Sequence, residues 1–164
     1  PGDQFAMDVI RRMIERSKEL RGCVRIAYLP NYNPDLACML VSGADVWLNT
    51  PTRLHEASGT SGMKAALNGV PNLSTLDGWW IEGYEHDPES GWRIGPLAST
   101  LGADDTRAID AEDLYTVLQY EVLPEYRFPG RARWLRRMKR AIGLLGQFNS
   151  HRCVQEYLAK AWKK

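Results

Sequence analysis

The feature that most constrains this chain is a regular alternation of short β-branched or apolar runs with single helical segments over its first half. Phe5, Val9, Ile10, Met13, Ile14 and Leu20 recur at helical spacing with charged residues between them, which predicts an amphipathic helix over 4–20 closed by Gly22. Val24 to Leu29 is short, β-branched and bounded by turn residues, so a strand is expected there. Asn33-Pro34 pairs an N-cap residue with proline in the first turn and opens a helix that stops at Gly43. Strands are then expected at Asp45 to Leu48 and Asn72 to Leu76, with a helix between them from Thr60 or Ser61 to Gly69. Strands separated by single helices imply βαβ units, hence a small parallel, Rossmann-like α/β sheet covered by helices.

Beyond the sheet the pattern changes twice. From Gly78 to Asp110 it dissolves into Gly, Pro, Asp and Trp, and an irregular excursion is expected. Asp110 then caps a helix through Leu114, Val117 and Val122 that Pro124 should terminate. Trp134 to Leu145 and Val154 to Trp162 mark two more helices. The expected organisation is a 1–77 βαβ core, a 78–110 excursion and a 111–164 helical tail.

Composition removes several function classes. Twenty-one basic against 20 acidic residues leave a formal charge of +1, so no global attraction to nucleic acid or an anionic membrane follows. The run from Arg131 to Arg140 is basic, but Trp134, Leu135 and Met138 interrupt it, as in an amphipathic helix with a solvated face. Cys23, Cys38 and Cys153 are odd in number and widely spaced, which argues against disulfides and zinc and for a reducing cytoplasm. His55, His86 and His151 have no metal-ligand spacing. No apolar run is long enough to span a bilayer, and the amino end lacks a signal-peptide core. A start at Pro1 without Met suggests a chain that begins mid-protein.

Chemistry concentrates in one loop. Ligands of parallel α/β sheets bind beyond the carboxyl ends of the strands. The loop after Leu48 enters the Lys64 helix through Gly59-Thr60-Ser61-Gly62, where amides and two hydroxyls at a helix start suit an anion. Lys64 lies one turn into that helix, as a charge partner or a Schiff-base nucleophile. Glu56, just before the turn, offers a carboxylate to vicinal hydroxyls. Taken alone, this turn also fits an ordinary capped helix; the Walker A spacing is not met, and Met63 stands where a nucleophile elbow needs glycine. Trp79, Trp80 and Trp92 fit a sugar-stacking platform or core packing equally well.

The longer string is specific. Asp45 to Pro51, Glu56 to Gly69 and Leu76 to Trp80 together resemble the α-glucan phosphorylase family, glycogen, maltodextrin and starch phosphorylases of the short bacterial and archaeal type. The likeness extends weakly through Arg25 to Tyr32 and Gly91 to Gly95. It implies pyridoxal phosphate held on Lys64, its phosphate bound by Thr60 and the backbone of Ser61, and Tyr32 near the cofactor. Glu56, Ser58 and the backbone of Gly59 would bind hydroxyls of the glucosyl unit. The implied reaction is reversible phosphorolysis of α-1,4-glucan by phosphate to glucose 1-phosphate, with the cofactor phosphate relaying a proton. Asn33 departs from the animal-type pattern, which has an arginine there for the cofactor phosphate. The resemblance also implies that the chain is a partial C-terminal domain of a two-domain GT-B enzyme, with an N-terminal part elsewhere, often dimeric, and inactive alone. Two alternatives remain open: a glycogen-synthase-like GT-B transferase using a sugar nucleotide, and a non-catalytic glucan-binding or assembly module.

Overall fold

In a computed structural model of the protein, residues 3–97 and 103–162 are described. They form two compact units, residues 1–37 and 38–164.

The first unit holds helix α1 (Gln4–Glu19). Its N-cap is Asp3, whose side chain accepts from the Ala6 amide at 2.9 Å, and Arg16 and Lys18 lie in the last turn, where cations complement the helix dipole. The expected strand at 24–29 does not form. Every residue from Arg21 to Pro30 is exposed, and the stretch joins no ladder among the described residues. A strand is a property of a pair: β-branched residues favour an extended backbone, but only a neighbour's N–H and C=O groups turn it into a sheet. Helix α2 (Pro34–Gly43) begins in this unit and ends in the next, and Asn33 caps it by accepting from the Leu36 amide at 3.0 Å.

The second unit is built on a three-stranded parallel sheet, β1 (Trp47–Asn49), β2 (Asn72–Thr75) and β3 (Trp92–Ile94), in that spatial order. Helix α3 (Thr60–Leu67) connects β1 to β2, and Gly69 takes the left-handed conformation expected after its end, φ +78°. Of the expected 78–110 excursion, residues 98–102 lie outside the described residues, and much of the described part is regular. Helix α4 (Trp79–His86) and a 3-10 turn (Pro88–Ser90) lead into β3, whose three residues between Gly91 and Gly95 are too few to show a period. Pairing with β2 makes them a strand, in the register Leu73 to Trp92 and Thr75 to Ile94. The α/β class and parallel sheet therefore hold, with β3 taking the place of the expected 24–29 strand.

β2 alternates sides. Leu73 enters a cluster with Trp92, Ile94, Val117, Val122 and Trp134, whereas the Asn72 side chain donates to Gly62 O at 3.0 Å. Trp79 and Trp80 pack with Ala66, Leu76, Ala141 and Leu144, and a third cluster joins Val41, Ala65 and Val70. All three candidate platform tryptophans are core residues, at most 7% exposed.

The tail is helical: α5 (Ala103–Val117), a π turn (Leu118–Val122), α6 (Leu123–Arg127), α7 (Ala132–Leu144) and α8 (Ser150–Lys160). Two expectations fail here. Asp110 lies inside α5 rather than capping a helix, because its carboxylate pairs with Arg53. Pro124 does not end the helix, because the Leu123 amide bonds back to Leu118 O, and this wider π turn admits the proline ring. The basic helix α7 is only partly a solvated face. Arg137 reaches inward to the Glu125 carboxylate at 2.6 Å and lies 4.1 Å from the Trp92 ring centroid, and Arg140 pairs with Asp87. No described helix is long and apolar enough to cross a membrane.

Candidate active-site loop

The segment from Asn49 to Lys64 leaves the carboxyl end of β1 and returns as α3. Three tertiary contacts shape it. Arg53, 8% exposed, donates from Nε and Nη2 to the Asp110 carboxylate and from Nη2 to Ile94 O at 2.9 Å, tying the loop to α5 and the end of β3. Beside this pair, at the ends of all three strands, is a cavity of about 300 Å³ lined by Thr50, Thr52, Arg53, Thr75 and Ile94.

The second contact is Asp77. Its buried carboxylate accepts from the His55 and Glu56 amides on one oxygen, at 3.1 and 2.9 Å, and from the Gly78 amide on the other at 2.9 Å. The third is the Trp79 amide, which donates to Ser58 O at 2.8 Å. The loop is thus stitched at both ends to the turn after β2. Gly78 permits the approach: its φ is +54°, and a Cβ there would stand 2.5 Å from Ser58 O and 3.1 Å from Glu56 Cγ.

Gly59, φ +82°, precedes α3, and no side chain caps the helix. The amides of Thr60 and Ser61 belong to the first turn, which has no intrahelical acceptors. Thr60 and Lys64, four residues apart, share one face and both are exposed, whereas Gly62, Ala65 and Ala66 face the core. Ser61 is half-buried. The Glu56 carboxylate leans toward this helix start, its Oε1 3.4 Å from where a Gly59 Cβ would stand. Gly62 does not open the turn to an anion, as the sequence suggests. A Cβ there would collide with Asn72 Oδ1 and stand 3.0 Å from Trp79 Nε1, so this glycine lets α3 settle on β2 and α4.

The structure therefore gathers Glu56, Ser58, Gly59, Thr60, Ser61 and Lys64 on one loop and one helix start, with free donors, a carboxylate and an amine. That arrangement can bind an anion at the amides and hydroxyl groups at the carboxylate. Tyr32 belongs to the first unit, where it is strongly exposed, and Asn31 before it has φ +58°. Asp77, Arg53, Asp110 and Asn72 were not legible as parts of the site. Their partners lie ten or more residues away, and Asp77-Gly78 reads locally as a strand-ending turn.

A sequence profile of the family described as carbohydrate phosphorylase matches residues 5–95. The chain belongs to the carbohydrate phosphorylase family. Among curated members, it is 42% identical to the maltodextrin phosphorylase of Thermococcus litoralis, over all of this chain and 20% of that protein. It is 40% identical to the glycogen phosphorylase of Aquifex aeolicus, over all of this chain and 24% of that protein. The glycogen phosphorylase of Mycobacterium tuberculosis strain H37Rv is 41% identical, over 96% of this chain and 19% of its own length. The chain thus spans about a fifth to a quarter of the carbohydrate phosphorylases it matches. The profile match includes the whole Glu56 to Lys64 segment.

Proposed function

We propose that this chain carries the cofactor and glucosyl-binding segment of an α-glucan phosphorylase, which cleaves α-1,4-glucan with phosphate to give glucose 1-phosphate. The observation that carries the reading is the shared exposed face of Thr60 and Lys64 on an uncapped helix, with the Glu56 carboxylate beside its first turn. Its membership of the carbohydrate phosphorylase family favours phosphate over a sugar nucleotide as co-substrate. Its three free, exposed cysteines fit a reducing, cytoplasmic setting.

The residues present fit pyridoxal phosphate. Lys64 offers an amine to its aldehyde, and the Thr60 and Ser61 amides, with the Thr60 hydroxyl, offer donors to its phosphate. When bound, the cofactor supplies a phosphate able to exchange a proton with the substrate phosphate. The protein groups do the rest. Helix-start donors hold anionic oxygens where charge accumulates, and their fixed orientation means little reorganisation during reaction. The Glu56 carboxylate accepts hydrogen bonds from sugar hydroxyls and, with the Ser58 hydroxyl and the Gly59 amide, orients the glucosyl ring. Activity as an isolated piece is not expected, because the chain spans only about a fifth to a quarter of its relatives and the contacts to the substrate phosphate and the remaining sugar contacts fall to the rest of the longer enzyme.

The test is chemical. The chain is incubated with pyridoxal phosphate, reduced with borohydride, digested and mapped by mass spectrometry. The adduct is expected on Lys64, with labelling lost in Lys64→Arg and weakened in Thr60→Val. Labelling spread over surface lysines, with Lys64 no more reactive than the others, sinks the cofactor assignment.

A further inference from the structure

We propose that Asp77 is a positioning residue for the glucosyl subsite, setting the direction of the Glu56 carboxylate without touching the sugar; this rests on Glu56 being the sugar acceptor. Asp77 is buried at the end of β2, and the bonds described for its carboxylate run to three backbone amides, of His55, Glu56 and Gly78. Two of the three belong to the segment that carries Glu56. A carboxylate is the side chain suited to this task. It presents only acceptors, on two oxygens that face different donors, and charge-assisted bonds are the stronger class.

The consequence for Glu56 is direct. Its backbone amide is fixed by Asp77 at one end of the segment, and Ser58 O is fixed by the Trp79 amide at the other. Between these two ties the Glu56 side chain runs past two glycines. Its Cγ would be 3.1 Å from a Cβ on Gly78, and its Oε1 3.4 Å from one on Gly59. The channel accepts Glu56 only while the two turns are held together, and Asp77 holds them from one side. Lys64, one turn into α3, is held instead by the packing of its neighbours Ala65 and Ala66. Asp77 should therefore affect sugar binding while leaving the amine alone.

Asp77→Asn separates these roles. The amide side chain matches the carboxylate in size but presents a donor where one oxygen stood. Either the His55 and Glu56 amides or the Gly78 amide then lose their acceptor. Three quantities are measured on the chain: amide hydrogen exchange by NMR, pyridoxal phosphate labelling of Lys64, and affinity for α-D-glucose 1-phosphate. In Asp77→Asn, exchange should rise about tenfold or more at residues 55 and 56 or at residue 78, whichever amides face the new NH2 group, with Ala65 and Ala66 unchanged, as expected for loss of bonds to a charged acceptor. Affinity for glucose 1-phosphate should fall about tenfold, with Lys64 labelling within about twofold of the parent, and the double variant with Glu56→Gln should bind no worse than Glu56→Gln alone. A purely structural role would lower labelling and affinity together. That result, unchanged exchange at all of residues 55, 56 and 78, or additive losses in the double variant each overturn the proposal. If the parent chain binds no glucose 1-phosphate while exchange rises as stated, the sugar assignment of Glu56 fails, but Asp77 still stands as the group that orients Glu56.

Discussion

Two stretches of this chain both read as strands in the sequence and differ completely in the fold. Val24 to Leu29 is rich in β-branched and apolar residues, and Ile26 remains 42% exposed with no ladder partner among the described residues. Asn72 to Thr75 contains one large apolar side chain, yet it is the central strand, paired on both edges, and Leu73 is fully buried. The less apolar stretch became the core. Its polar residues are tolerated because each finds a partner: Asn72 at Gly62 O, Ser74 at Thr75 O, and Thr75 at Pro51 O. Strand composition is thus a weaker determinant than what lies alongside.

The most direct attempt to break this contrast is to truncate one residue in each stretch. Leu73→Ala should destabilise by about 2–5 kcal/mol, and Ile26→Ala should fall within about 0.5 kcal/mol, both read from urea unfolding. Comparable losses would mean that the first stretch is covered after all. A second variant probes what holds the buried region together. Arg53→Ala leaves Asp110, 15% exposed, without its partner and frees Ile94 O, and a loss of about 3 kcal/mol is expected. An apolar pair at both positions should recover much of it.

A smaller effect sharpens the contrast from the opposite direction. Leu54, 85% exposed, sits at φ +68° in the loop between β1 and α3, a conformation costly for a branched side chain. Leu54→Gly should raise stability by about 1 kcal/mol by thermal melting, since the strain is released and little packing is lost. No gain would show that this side chain is covered.

The smallest effect lies in α8, which has no buried residue. The Glu156 carboxyl is held below the usual glutamate range, first by its hydrogen bond from Lys160 and then by the charge of Arg152. A depressed carboxylate adds stability above its unfolded-state value, and that stability disappears as pH falls through the folded one. The pair is fully exposed, so Glu156→Gln should shift α8 helicity by circular dichroism only slightly, and less in high salt.

The legibility of the fold follows the same line. Helices α2 and α3 are readable because their signals are local: Asn33 caps the helix that follows it, and Gly69 takes the left-handed position; α1, α7 and α8 are readable from their apolar spacing, although α8 starts at Ser150, capped by Asn149, four residues before the expected Val154. Strand β3 was not readable, since three residues carry no period and pairing with Leu73 and Thr75 makes them a strand. In the candidate site, the Glu56 to Lys64 string is visible as chemistry in the sequence, but the contact with Asn72 that the small size of Gly62 permits is not.

The sequence by itself determined the first three helices, the parallel α/β class and the six residues from Glu56 to Lys64 that gather at one helix start. These depend on interactions within a few residues, or on a string long enough to mark its family. Only the tertiary structure decided which extended stretches became strands, that three tryptophans are core, and that Asp77 and Arg53 hold the loop between β1 and α3. Burial, pairing and charge compensation join residues tens of positions apart, and no local pattern records which partner each will meet.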